Sequence, residues 1–291
     1  MKRGRPVVLA LPWFWLAVFL LAPAAIMLRI ALSHATDSIP PYAALLSWSR
    51  GMPRLDIDAS NFVRILTDPL YRRAFTLSLR VAGLSTLACL LMGYPMALAI
   101  ARAPANRRGA LLLAVMLPFW TGFLMRINAW IGLLQDGGWI DTVLGWIGLP
   151  HAALLYTDTA MYIGIVYTYL PFMVMPLYAR LTRLDPVMLE AAGDLGAPPW
   201  RAFLSVTLPL SLPGVWAGML LVFIPAVGEY VIPDLLGGPQ AQLVGRVLWE
   251  EFFDNRDWPT AAALSCVLLV ALLLLPALMY QLVRRARGAH A

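Results

Sequence analysis

The chain has 291 residues, of which 60% are hydrophobic and 13% charged, and a formal net charge of +6. A water-soluble domain carries about a quarter of its residues as charges, so this composition suits lipid as the main solvent. The basic excess does not indicate nucleic acid, because the arginines stand in short clusters beside apolar runs rather than along one stripe, which is the pattern that orients a membrane protein.

Crossing about 30 Å of hydrocarbon takes roughly 20 helical residues. Six runs reach that length, over about 7–30, 75–101, 110–134, 159–179, 215–232 and 261–283. The first follows "MKRGRP"; its apolar stretch exceeds the roughly 7–15 residues of a signal-peptide core, which predicts an uncleaved helix. The segment 33–73 that follows is rich in turn residues ("IPPY", "GMPRLD") and has room for a short lateral helix. Arg102, Arg107 and Arg108 lie between the second and third spans, whereas 135–158 holds Asp136, Asp141 and Asp158 with no lysine or arginine. Arg180, Arg183 and Arg201 lie between the fourth and fifth, 233–259 is net acidic, and "RRAR" follows the sixth. The positive-inside rule then predicts an all-α protein with six crossings and both termini cytoplasmic. Arg72 and Arg73 dissent from the outer side.

That topology makes the segment of about 181–214 cytoplasmic. Within it, "LDPVMLEAAGDLG" reads as a helix with Asp185 as N-cap and Pro186 at the first helical position. Gly196 supplies the left-handed stop. "PPWRAFLSV" starts a second helix, which Pro209 is expected to end. Met188, Ala192 and Leu195 are spaced to share one face, and Ala191, Ala192 and Gly193 are small enough for another surface to approach the backbone. Two short helices joined at a glycine make a docking elbow. The alternative is an amphipathic hairpin resting on the inner membrane face.

Catalysis finds little support. A phosphate-binding loop needs a lysine, and the only lysine is Lys2. His34, His151 and His290 are scattered singly, and Cys89 and Cys266 sit inside apolar runs without paired spacing, so neither metal site nor disulfide is expected. A transporter driven by an ion gradient would usually show internal repeats, and none is visible.

Glu190-Ala191-Ala192, Gly196, Val206 and Leu208-Pro209 resemble the cytoplasmic signature of importer permeases of the ATP-binding-cassette class. The departure is Val206, where isoleucine is usual. The resemblance implies a methionine-importer-like type I fold, a single permease domain over 1–291, and a coupling helix that fits a groove on the ATPase. "LPFWTGFLMRINAWIGLL", "YIGIVYTYLPFMVMPLYARL", "FIPAVGEYVIPDLLGGP" and "GRVLWEEFFDNRDWPTAAA" are similar to spermidine/putrescine permeases, in particular to the larger permease of the putrescine system. That family implies a second, different permease subunit, two copies of an ATPase and a periplasmic polyamine-binding protein. It also implies that this chain binds no cofactor, ATP being used by the partner subunits. Related permeases for thiamine, iron, sulfate or phosphonate share the signature and remain the alternative.

A polyamine's ammonium groups favour carboxylates and aromatic faces. The outer segments offer Asp136, Asp141, Asp234, Glu250, Glu251, Asp254 and Asp257 among Trp139, Trp249 and Trp258. Against this, solvated loops are often acidic and interfacial tryptophans anchor to headgroups. Two charges fall inside spans. Counted along ideal helices, Arg126 lies about 24 Å and Glu229 about 21 Å from the cytoplasmic ends of theirs. Three readings stand open: Arg126 pairs with Glu229 as a gate strut, Glu229 faces the pore, or Arg126 snorkels to the outer surface.

Overall fold

The structure, a computed structural model, describes residues 5–49, 52–146, 148 and 153–288. In chain order the elements are α1 (Arg5–Ala31), a hairpin of β1 (Leu46–Ser49) and β2 (Met52–Leu55), α2 (Ser60–Thr67), α3 (Pro69–Arg102) and α4 (Ala105–Met116). A 3-10 turn at Leu117–Trp120 leads to α5 (Phe123–Leu134), α6 (Trp139–Trp146) and α7 (Asp158–Leu181). Then come α8 (Pro186–Asp194), α9 (Pro199–Ala202), a π-helical turn at Phe203–Thr207, and α10 (Leu208–Val227). The chain closes with α11 (Val231–Leu236), α12 (Val244–Trp249), a second π-helical turn at Glu250–Asp254, and α13 (Trp258–Gly288). The fold is helical, as expected, apart from the antiparallel hairpin, in which Leu46 stands opposite Leu55.

Among the described residues, four helices are long and apolar enough to cross a membrane: Ala10–Ala31, Pro69–Arg102, Asp158–Leu181 and Pro199–Val227. The bent pair Ala105–Trp120 and Phe123–Trp146 makes a fifth if counted as one span. The apolar part of α13, Trp258–Leu274, is shorter.

Two expected spans are corrected. The run 110–134 is not one helix: α4 and α5 meet at a bend of 89°. Pro118 lies in the intervening turn, and Thr121 and Gly122 adopt extended ψ values of 144° and 143°, which end one helix and start another. The run 215–232 begins and ends earlier, as part of a helix over Pro199–Val227. Pro209 does not end it. The π turn lets the Leu208 amide reach back to the Phe203 carbonyl, and the widened ladder carries the helix past the proline.

The chain packs as two compact units. One is drawn from Met1–Ala74 and Val247–Ala291. In it α1 and α2 lie against α13, α2 being the lateral helix for which 33–73 had room. The Asn61 side-chain amide donates to the carbonyls of Ala31 and Ser33, both at 3.0 Å. At the start of α2, the hydroxyl and amide of Ser60, aided by His34, hold the Asp58 carboxyl below the usual carboxylate range.

The other unit is Phe75–Arg246. Its core helix is α7, against which α5, α10 and α11 pack. Met161, Ile165, Met173, Val174 and Leu177 of α7 are fully covered. Small residues allow this approach: a Cβ on Gly214 would lie 2.8 Å from Arg180 Cβ and 2.9 Å from the Pro176 carbonyl oxygen. The Arg180 Nε donates to the Leu210 carbonyl at 2.9 Å, which fixes the same crossing.

Candidate functional site

The elbow forms much as its sequence dictates. The Asp185 carboxylate accepts from the Val187 amide at 3.1 Å and caps α8, with Pro186 following it. At the other end Gly196 has φ +79°. The Ala197 amide donates to the Ala192 carbonyl at 3.0 Å and the Gly196 amide to that of Gly193 at 2.8 Å. This pair of bonds is a Schellman stop, and it depends on a residue that accepts positive φ. Pro198 and Pro199 then start α9. α8 folds back on α9 and on the π turn, burying Ala192 and Ala202.

Of the three residues spaced to share one face, Met188 and Leu195 are exposed, at 50% and 89%, and Ala192 is turned inward at 9%. What the elbow presents outward is Val187, Met188, Leu195 and Trp200, with Glu190 and Ala191 exposed beside them. Val206 lies in the π turn, and Leu208 and Pro209 open α10. Behind them the Tyr94 hydroxyl donates to the Ser211 oxygen at 2.8 Å, since Ser211 gives its own proton to the Leu208 carbonyl. The Tyr94 ring also meets Phe203 edge-on at 5.6 Å. The elbow is thus tied directly to α3 and α10.

The second site centres on Glu229, which is 8% exposed. It is not inside a helix. α10 stops at Val227, and Glu229 occupies the break before α11. Its Oε1 accepts from the amides of Tyr230, Val231 and Ile232 at 3.2, 3.1 and 3.4 Å. Its Oε2 accepts from the Tyr169 hydroxyl of α7. The carboxylate therefore satisfies the open end of a broken membrane helix, while those donors stabilise its charge.

Arg126 takes a different position from the expected strut. Among the described contacts no ion pair joins it to Glu229. It is 8% exposed, and its guanidinium lies over the rings of Phe119 at 5.0 Å and Phe123 at 5.7 Å. Among the described residues its Nε and Nη1 are buried without a hydrogen-bond partner. Each unmet donor costs about 1–3 kcal/mol, against about 0.5–2 kcal/mol from a cation–π contact. Such burial runs against the snorkelling alternative, which needs the guanidinium at the surface. The depth count for both residues also lapses, because it assumed straight spans and both helices break.

The outer acids divide. Glu251 is buried, accepting from the Tyr71 hydroxyl at 2.8 Å and the Asn255 side chain at 3.0 Å. Asp257 holds Arg64 at 3.2 Å and Thr260 at 2.8 Å. Asp141 accepts from the Gly137 amide at 3.0 Å. These three serve the fold. Asp234 is partly exposed and lies 3.6 Å from Arg246. Asp136 is exposed, Trp139 is 74% exposed, Trp249 lies against Phe253 with ring centres 4.1 Å apart and the planes tilted by 34°, and Glu250 opens the second π turn. Sequence reasoning missed Tyr169, Phe119 and Phe172 near the two membrane charges. Only the aromatic density of "LPFW" and "YTYLPF" hinted at them.

The elbow joins α10 and contacts α3 through Tyr94, and a buried acid stands at a helix break in the same unit. The model of the family "Binding-protein-dependent transport system inner membrane component" matches residues 6–288, and the chain belongs to this family of ABC importer permeases. It is 42% identical over 214 residues to the spermidine/putrescine transport system permease protein PotB of Escherichia coli K12, covering 73% of this chain and 78% of that one. To PotB of Haemophilus influenzae it is 38% identical over 276 residues, covering 94% and 92%. The molybdenum transport system permease protein ModB of Mycobacterium bovis is 30% identical over 216 residues, covering 74% and 80%. The fold matches a permease chain of a bacterial alginate ABC importer with a TM-score of 0.74 at 20% identity, covering 96% of this chain and 94% of that one. The chain is accordingly a multi-pass inner-membrane protein and a permease subunit, resembling the spermidine/putrescine group within its family.

Proposed function

We propose that this chain is one half of the pore of an ATP-driven polyamine importer. It crosses the membrane six times with both termini cytoplasmic. The spans are α1, α3, the bent α4–α5 pair, α7, the helix from α9 through α10, and α13, all within one permease domain over 1–291. A second, different permease supplies the other half. Two copies of an ATPase subunit bind from the cytoplasm, one of them on the elbow of this chain through the surface around Glu190, Ala191, Ala192 and Gly196. A periplasmic polyamine-binding protein delivers putrescine or spermidine. ATP is used by the ATPase subunits, and this chain holds no cofactor of its own.

The observation that carries the reading is the elbow. Its apolar side chains Val187, Met188, Leu195 and Trp200 are exposed among the described residues, and a rigid Schellman stop fixes their arrangement. An ATPase groove would bury them, and movement there would pass into α10 through the continuous helix Pro199–Val227. Relatives named for spermidine and putrescine at 38% and 42% identity support a cationic substrate, as does a buried carboxylate beside a tyrosine. A molybdenum permease at 30% identity keeps an anion-carrying member of the family as the second reading.

The test is uptake of labelled putrescine, spermidine and molybdate into vesicles containing both permeases, the ATPase and the receptor. ATP-dependent accumulation of a polyamine is expected. Accumulation of molybdate with no polyamine uptake overturns the substrate, while absence of ATP-dependent uptake of any solute overturns the importer assignment.

A further inference from the structure

Arg126 and Glu229 stand at the two ends of one run of aromatic contacts. The Arg126 guanidinium lies 5.0 Å from the Phe119 ring centre. Phe119 meets Phe172 edge-on at 5.0 Å, Phe172 lies 6.2 Å from Tyr169, and the Tyr169 hydroxyl donates to the Glu229 carboxylate. Phe172 and Tyr169 are three residues apart on α7, so they share a face. All of these residues belong to the unit Phe75–Arg246.

We propose that this run is a station for the transported polycation, one of whose ammonium groups meets the Glu229 end, and that Arg126 is a tethered cation occupying the Phe119 end between substrate molecules. The proposal rests on the reading of the chain as a polyamine permease. A ring face that attracts a guanidinium attracts a primary ammonium through the same quadrupole. The carboxylate end is suited to it as well. The three amides engage Oε1, and among the described contacts Oε2 accepts only from Tyr169, which leaves it a lone pair. Tyr169, donating its hydroxyl hydrogen to the carboxylate, presents an oxygen with enhanced acceptor strength. The methylenes of a polyamine would lie along the rings while one ammonium group reaches Oε2.

Arg126 is suited to leave. Among the described residues its Nε and Nη1 make no hydrogen bond, so vacating the rings breaks none at those atoms. The extended Thr121–Gly122 link just before α5 is where such a movement has room. A permanent arginine there would repel a polycation; a displaceable one sets a threshold that only a cation able to replace it can pass.

Equilibrium binding of labelled spermidine to the complete permease–ATPase complex without receptor, together with uptake by the receptor-containing complex, tests this. Arg126→Gln is expected to tighten spermidine binding at least threefold and Arg126→Lys to leave it near wild type. Phe172→Leu, at a residue 37% exposed, is expected to weaken it at least threefold. Millimolar guanidinium should weaken binding to Arg126→Ala and not to wild type. If Arg126→Gln does not assemble, Phe172→Leu still decides, since unchanged binding there refutes the station. Wild-type polyamine uptake with unmoved binding in both variants refutes the station alone. A wild-type complex that takes up no polyamine refutes the polyamine reading and the station with it. Loss of uptake of an anionic solute in Arg126→Gln would instead make Arg126 an anion ligand.

Discussion

Replacing Gly196 isolates the elbow from every other part of the molecule. No heavy atom lies within 4 Å of where a Cβ on Gly196 would sit, and its φ is +79°. The penalty for a side chain is therefore purely one of backbone conformation, about 1–2 kcal/mol for a non-glycine residue in the left-handed region, with a β-branched residue at the upper end. One or two kcal/mol changes a conformational ratio by about 5–30-fold. Gly196→Val should thus reduce the ratio of closed to open elbows by about that factor, because the bonds from the Ala197 and Gly196 amides form only with positive φ. Asparagine tolerates the left-handed region better, so Gly196→Asn should lose less. The assay is receptor-stimulated ATP hydrolysis and substrate uptake measured together in reconstituted vesicles, with membrane insertion as the control. Both activities should fall in parallel while insertion stays intact. Wild-type hydrolysis and uptake in Gly196→Val would refute the coupling role, and a loss confined to insertion would make the elbow a folding element only.

Gly193 also has open space at its Cβ position and lies inside α8, so Gly193→Ala should favour the helix by about 1 kcal/mol; reduced coupling despite that gain would mark a partner surface against this position, and unchanged coupling would exclude one. Gly214→Ala brings a Cβ to 2.8 Å from Arg180 Cβ and 2.9 Å from the Pro176 oxygen. The overpacking, about 1–3 kcal/mol, should lower assembled permease in a thermal-stability assay. Neutralising Asp136, Asp234 and Glu250 together should weaken uptake at limiting substrate and reduce its salt dependence; identical uptake at low salt would leave them as solvated loop charges. Glu229→Gln keeps an acceptor oxygen for the amides of Tyr230, Val231 and Ile232, so assembly should persist while uptake at limiting substrate falls at least tenfold. Normal uptake would confine Glu229 to capping.

Local chemistry was the readable part of the sequence. Asp185, Pro186 and Gly196 act within a few residues of themselves, and each does what its type and position dictate. Hydropathy located the apolar runs but not their breaks. Pro118 and Pro209 show why: one lies where the helix bends by 89°, the other is absorbed by a π turn. A proline removes one donor in both cases, and the neighbouring packing decides whether the ladder stops or widens. Pairing of Arg126 with Glu229 was one of three readings that charge and depth left open. Depth counting could not choose among them, because Glu229 lies at the end of a helix, where three amides and a tyrosine hydroxyl attend it. Glu251 and Asp257, read as outer-loop acids, are likewise held by Tyr71 and Arg64, partners far away in sequence.

The two membrane charges are instructive as a contrast. In hydrocarbon a broken helix must find partners for its freed amides, and a carboxylate must find donors for its charge. At Glu229 each need meets the other, since the chain that breaks at Gly228 offers the amides of residues 230–232 to the acid beside the break. The link before α5 has no such reciprocity. Its nearby charge is an arginine, which has donors only, and the amides at the start of α5 are donors too. Arg126 therefore rests on Phe119 and Phe123 with two nitrogens unmet. Of these two breaks, the one at Glu229 is closed by its own charge, whereas the charge beside the other is held by aromatic faces.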